Sequence, residues 1–105
     1  MIHYIENERI LSEVLNNDKL VIVDFFATWC EPCKLLAPVL KKACEKYEDK
    51  VEVFKVDVDE TQSIAMRYHI SAMPTLIFFK NGEEVERQVG CLGEEKLERI
   101  INDLI

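Results

Sequence analysis

Ala27-Thr28-Trp29-Cys30-Glu31-Pro32-Cys33-Lys34 joins an apolar run, Leu20 to Ala27, to a segment of helical period, Cys33 to Tyr47. Two cysteines separated by two residues therefore sit at a strand-to-helix seam. A helix start offers backbone N–H groups without intrahelical partners and the positive end of the helix dipole, and both favour a thiolate over a thiol. One turn apart, the two sulfurs can close into a small disulfide ring and reopen. A C-x-x-C motif at such a seam points to a redox dithiol. Half of a zinc site is the alternative, but zinc knuckles usually bring a second close pair, and Cys44 and Cys91 do not form one. Cys30, nearer the strand end, is expected to be the exposed, low-pKa nucleophile. Cys33, one turn into the helix, is expected to be more buried and to act as the resolving thiol.

Around this stretch the composition narrows the function classes. A chain of 105 residues is read as a single domain over 1–105, able to bury roughly two-thirds of its unfolded surface. Thirteen Lys plus Arg against twenty Asp plus Glu leave a net charge of −7, which repels phosphate backbones and argues against nucleic acid. Met1-Ile2-His3-Tyr4-Ile5-Glu6 has neither a basic nor an apolar leader region. The longest apolar run is interrupted by Asp24 and is far too short to span a bilayer. No membrane association and a cytoplasmic location are expected, where four cysteines are better read as reactive or metal-binding thiols than as a disulfide framework.

The rest of the chain reads as alternating helices and strands. Ile10, Leu11, Val14 and Leu15 give a helix over 7–16 one buried stripe. Leu20–Phe26 is apolar on both faces, as a central parallel strand should be. Leu36, Leu40, Ala43 and Tyr47 line one side of the helix that begins at the cysteines. Val51–Val58 is a second strand, with Val51, Val53 and Lys55 on one face and Phe54, Val56 and Val58 on the other. A short helix over 61–68 precedes a buried strand over 75–79. Asn81-Gly82 then signals a tight hairpin into Glu84–Val89. A last helix starts at Gly93 with the stripe Leu97, Ile100, Ile101 and Leu104. The pattern is α/β with a mixed sheet.

Asp24 shares a strand face with Leu20, Ile22 and Phe26, so its carboxylate is expected to be desolvated and its pKa raised. A buried acid a few residues before a dithiol is placed to accept the Cys33 proton. The alternative is an edge position in contact with water. Lys55 alternates with valines and is a possible partner of Asp24, or else an exposed lysine at a strand end. Met73-Pro74-Thr75 opens a strand, where proline is ordinarily just tolerated.

Asp24-Phe25-Phe26-Ala27-Thr28-Trp29-Cys30, Pro32-Cys33-Lys34, Ala37-Pro38, Lys55-Val56-Asp57-Val58-Asp59, Met73-Pro74-Thr75 and Asn81-Gly82 together resemble, in order and along nearly the whole chain, the motifs of the thioredoxin family. The resemblance implies the thioredoxin fold, a central five-stranded mixed sheet flanked by four helices, and a cis peptide before Pro74 that sets its loop against the cysteines. It implies that Trp29, Pro32, Met73, Pro74, Thr75, Gly90 and Cys91 bind an extended substrate segment in a shallow apolar groove. There the Met73 backbone would pair with that segment as in strand addition. The implied activity is reduction of protein disulfides by a monomer with no bound cofactor. Its Cys30–Cys33 disulfide would be recharged by thioredoxin reductase, a flavin enzyme using NADPH.

Glu31 departs from the family, whose usual residue before the proline is Gly. A carboxylate beside Cys30 should raise the thiol pKa and make the dithiol a stronger reductant, so Glu31, with Pro32 and Trp29, is a candidate for redox tuning. An exposed acid of little effect is the alternative. His69 stands where many relatives have Gly and reads as a helix end with positive φ rather than a ligand. Cys44 reads as a small core residue. Cys91 reads as a groove-lining residue or a regulatory thiol. A binding subunit that uses the groove without turnover, and a disulfide isomerase or oxidant, are the rival functions.

Overall fold

In the computed structural model, which describes residues 2–105, the chain runs β1 (His3–Tyr4), α1 (Glu8–Leu15), β2 (Leu20–Phe26), α2 (Glu31–Lys46), β3 (Val51–Asp57), α3 (Gln62–Arg67), β4 (Thr75–Lys80), β5 (Glu83–Val89) and α4 (Glu94–Leu104). The five strands form one sheet in the order β1-β3-β2-β4-β5. The first three are parallel to one another, and β4 and β5 are antiparallel to their neighbours. Five strands in a mixed sheet with four helices are the architecture expected from the family resemblance.

β2 is the centre of this sheet because all seven of its residues are buried and it pairs on both sides. Its alternating side chains feed two cores. Leu20 and Ile22 join Val51, Val53 and Phe78 against Leu36 and Leu40 of α2 and Leu97 and Ile101 of α4. Val21, Val23 and Phe25 pack with Val56, Ile77 and Phe79 against Leu11 and Leu15 of α1 and Ile64 of α3. The strand therefore stands between two helical layers, which is why its run is apolar on both faces apart from Asp24.

Local chemistry sets the element ends. Asn7 caps α1, its Oδ1 accepting from the Ile10 N–H at 2.9 Å. Asn81 and Gly82 take φ of 53° and 82°, the paired positive values that let a two-residue hairpin match the strand twist. α2 and α4 are cross-linked at their surface by Lys42–Glu94, Lys46–Glu98 and a hydrogen bond from the Tyr47 hydroxyl to Asn102.

β1 leaves no mark on the residue pattern, since two residues are too few to show alternation. Its place is set by Ile5, buried just after it, whose N–H donates to the Lys55 carbonyl at 2.8 Å.

His69 ends α3 with φ 55°. The Ile70 N–H returns to the Ala65 carbonyl and the His69 N–H to that of Met66, at 2.9 and 3.1 Å, the bond pair of a Schellman ending. A β-branched side chain suffers most in this backbone region. His69→Gly is therefore expected to be at least as stable as the parent chain in urea unfolding. His69→Val is expected to lose about 1–2 kcal/mol.

Candidate functional site

Cys30 is the N-cap of α2, and its sulfur, not an oxygen, fills the cap role: the Cys33 N–H points at Cys30 Sγ at 3.3 Å. The two cysteines are joined in a disulfide with Cα atoms 5.3 Å apart. Pro32 fits the first turn, where a missing N–H costs nothing. Once the disulfide opens, the same N–H and the helix dipole bear on a Cys30 thiolate.

Exposure corrects one expectation. Cys30 is 5% exposed and Cys33 3%, so the pair is buried together rather than one open and one hidden. The cause is the loop before β4. Cys30 Sγ lies 3.6 Å from the Met73 carbonyl oxygen, and Met73 packs against a small cluster of Phe26, Ala27, Cys30 and Cys33.

That loop is built as the family resemblance implied, with a cis bond between Met73 and Pro74. The Gly90 N–H donates to the Pro74 carbonyl at 2.8 Å, which ties the end of β5 to the loop beside the cysteines. Trp29, Pro32 and Cys91 are exposed, Met73 and Gly90 half-buried, and Pro74 buried beneath them. Thr75 departs from its expected substrate-facing place. Its residue is buried, and its hydroxyl donates to the Ala72 carbonyl at 2.6 Å, so the side chain braces the loop from within.

Asp59 enters the sequence reading only within a motif, with no role of its own. The structure gives it one: its Oδ2 accepts from Trp29 Nε1 at 2.9 Å. That bond orients an indole that is otherwise 64% exposed beside the cysteines. The signal in the residues is thin, because an acid at a strand-to-helix turn has many commoner uses.

Asp24 and Lys55 meet as their strand register dictates, Asp24 opposite Lys55 across β2 and β3. Asp24 has no accessible surface, and neither carboxylate oxygen accepts a hydrogen bond from any described residue. Lys55 Nζ stands 3.8 Å from Oδ2, an ion-pair contact, and also lies 4.4 Å from the centre of the Phe26 ring. Burial pushes the Asp24 carboxyl up to about 6, against a smaller lowering by Lys55. Asp24 lies on the α2 face of the sheet, on the same strand face as Phe26 two residues on, and Phe26 shares a buried cluster with Cys33. The edge position considered for Asp24 is excluded, and Lys55 is largely covered.

Glu31 turns its carboxylate to Lys34 at 3.0 Å, with both side chains well exposed. Cys44 is buried in the α2 core cluster. Among the described residues no group of three or more His, Cys, Asp or Glu is placed to hold a metal ion, and no helix is long and apolar enough to cross a membrane.

The thioredoxin family model matches residues 1–103. Thioredoxin-2 of Saccharomyces cerevisiae is 53% identical over 80 residues, covering 76% of each chain. Thioredoxin of Staphylococcus aureus is 46% identical over 81 residues, 77% of this chain and 78% of that one. Among solved structures, Malassezia sympodialis thioredoxin superposes with a TM-score of 0.90 at 41% identity, over 98% of this chain and 90% of that one. Fasciola hepatica thioredoxin gives 0.89 at 37% identity, over 96% of this chain and 97% of that one. The chain belongs to the thioredoxin family and is a thiol–disulfide oxidoreductase acting on proteins.

The buried acid has a measurable cost. Unfolded, Asp24 titrates near 3.8; folded, near 6. The folded state thus holds the proton more tightly. Stability is unaffected below the unfolded value, falls as pH rises between the two, and stays lowered above the folded value by roughly 3 kcal/mol at most. Asp24→Asn removes the charge and keeps the shape. It is expected to be more stable than the parent at about pH 8 by up to that amount, with the gap closing near the unfolded pKa, as read by guanidinium unfolding across pH.

Proposed function

We propose that this thioredoxin-family chain is a general reductant of protein disulfides, with Cys30 as the attacking and Cys33 as the resolving thiol. The observation that carries the thiol roles is the sulfur cap, while membership of the thioredoxin family supports the direction of electron flow. Cys30 Sγ receives the N–H of the α2 first turn, so it is the sulfur whose anion the helix stabilises.

In the reduced protein, Cys30 thiolate attacks one sulfur of a target disulfide. One target thiolate leaves, and a Cys30–target mixed disulfide forms. Asp24 carboxylate takes the Cys33 proton, through a water where the distance requires one. The Cys33 thiolate then attacks Cys30 Sγ, expelling the second target thiolate and closing the Cys30–Cys33 disulfide. Two electrons have passed to the target. Lys55, by holding charge opposite Asp24, keeps its carboxylate within reach of neutral pH. The target strand would lie along Met73 beneath Trp29, with Pro74 and Gly90 shaping the floor and Cys91 at the rim.

A cytoplasmic monomer, recharged by an NADPH-dependent flavin thioredoxin reductase, completes the proposal. The oxidised disulfide would accept a hydride equivalent from NADPH by way of that enzyme's flavin and thiols. The chain itself would then need no bound cofactor.

The equilibrium potential of the Cys30–Cys33 pair, followed by Trp29 fluorescence in a dithiothreitol series, tests the direction of electron flow. A value near or below about −270 mV supports the reductant, and one between about −180 and −120 mV assigns the chain to isomerases and oxidants. Glu31→Gly is expected to make the pair less reducing. Since Lys34 already neutralises the carboxylate in solvent, the change should not exceed about 20 mV, the equivalent of the roughly 1 kcal/mol an exposed charge carries. A more reducing variant refutes tuning by Glu31.

With insulin and dithiothreitol, Cys30→Ser is expected to abolish catalysed precipitation, and Cys33→Ser to accumulate a mixed disulfide visible by intact mass. Undiminished turnover by Cys30→Ser would exclude the assigned roles. No turnover by the parent chain would instead favour a binding subunit.

A further inference from the structure

The turn after β3 runs beside the turn that leads to Cys30. Phe26 and Asp57 are register partners, and the Val58 N–H donates to the Phe26 carbonyl at 2.9 Å. Asp57 Oδ1 then accepts from the Asp59 and Glu60 N–H groups at 2.9 and 3.4 Å, which holds this turn in one shape. Two open groups result at the residue next to Cys30: the exposed Trp29 indole, and the Asp59 carboxylate bonded through Oδ2 to its Nε1. Asp59 is itself exposed, and its Oδ1 accepts no hydrogen bond from any described residue. The charge of this corner survives a count of its neighbours. Glu31 cancels with Lys34, Glu8 with Arg67, and Asp24, when ionised, with Lys55. Residues 70–75 and 88–92, which bring Met73, Pro74, Gly90 and Cys91 to the groove, carry no charged side chain. Asp57, Asp59 and Glu60 have no ion-pair partner among the described residues, so their three negative charges stay on the Trp29 side. Protonating Asp24 shifts the sum by one and leaves its sign.

We propose that Trp29 and Asp59 form a subsite for an arginine beside the target's disulfide, so that the chain reduces cationic disulfide segments in preference to neutral or acidic ones. This rests on the reductant reading above and names the class of target it serves. A guanidinium satisfies both parts of the subsite: its plane stacks on an indole face, and its N–H fork donates to a carboxylate. A lysine ammonium brings the charge without the plane. The indole is already oriented, because its Nε1 is occupied by Asp59 Oδ2, and Oδ1 remains to accept from the ligand. The unpaired acids around it draw a cationic segment in and keep an acidic one away. Glu31 adds nothing to this, since Lys34 stands 3.0 Å from its carboxylate. Selection by charge therefore belongs to the β3–α3 turn and not to the C-x-x-C motif.

Matched peptide disulfides with arginine, citrulline or glutamate next to the cysteine provide the test, each reduced by the dithiol form of the full chain and followed by chromatography after acid quenching. Dividing each rate constant by the one for dithiothreitol removes the residue's own effect on the disulfide. The arginine peptide is expected to react about five-fold faster than the citrulline peptide, the size of an exposed charge and cation–π contact, with glutamate slower again. That ratio should fall as salt rises. Asp59→Asn keeps an oxygen for Trp29 Nε1 and removes the charge, and is expected to bring the ratio to about two. Glu60→Gln should retain most of it. Three results overturn the subsite and leave the reductant reading standing: equal normalised rates for the three peptides; a ratio unchanged in Asp59→Asn; or a ratio lowered as far by Glu60→Gln, which would make it an effect of the general field. Failure to reduce any peptide that dithiothreitol reduces overturns the reductant reading, and the subsite with it.

Discussion

One hydrogen bond organises the reactive end of the molecule: the backbone N–H of Cys33 directed at the sulfur of Cys30. Most helices begin on an oxygen from Ser, Thr, Asp or Asn. In the proposed roles the cap atom is also the reacting atom, so the bond that starts α2 would be the bond that stabilises the anion. Everything nearby serves that coincidence. β2 ends at Phe26 and a short turn carries the chain to the cap, Pro32 takes the turn position that needs no donor, and the Met73 loop covers the sulfur from the other side.

Asp24 is the counterweight. A carboxyl with no accessible surface and no hydrogen bond from any described residue is a stability defect, and the fold retains it in the middle of its most buried strand. Retention makes sense once the acid is seen on the same strand face as Phe26, which shares a buried cluster with Cys33. Lys55 moderates the defect without removing it, because its amine stays at ion-pair distance rather than closing a hydrogen bond. Strongly perturbed buried acids beside a reactive pair are candidates for chemistry rather than for support.

Much of this is legible in the residues because it follows from local rules. The double-sided apolarity of Leu20–Phe26 marks the central strand, and strand alternation brings Asp24 and Lys55 to one face. Asn81-Gly82 marks the hairpin, whereas the positive φ of His69 is expected through the family likeness, since many relatives carry Gly at that place. What stays hidden depends on tertiary approach. β1 is two residues long and exists through pairing with β3. The burial of Cys30 depends on a loop far away in the chain, around Met73, which no local pattern places. The Trp29–Asp59 bond is likewise a meeting of two turns. The cis bond before Pro74 is expected only through the family likeness, since X–Pro chemistry alone favours trans.

The side-chain links between α2 and α4 lend the fold a mechanical character. Lys42, Lys46 and Tyr47 are all in or beyond the second half of α2, so that half is clamped to its neighbour, while among the described residues the first turn carries no such tie to α4. α2 is a cantilever, fixed at its far end and loaded at its tip. Opening and closing a bond between Cys30 and Cys33 at that tip can then be absorbed within one turn. The core beneath the clamp, Leu40, Ala43 and Cys44 against Leu97 and Ile101, lies beyond that turn. A protein that cycles between two covalent forms thus has its helix-to-helix links set away from the bond that changes.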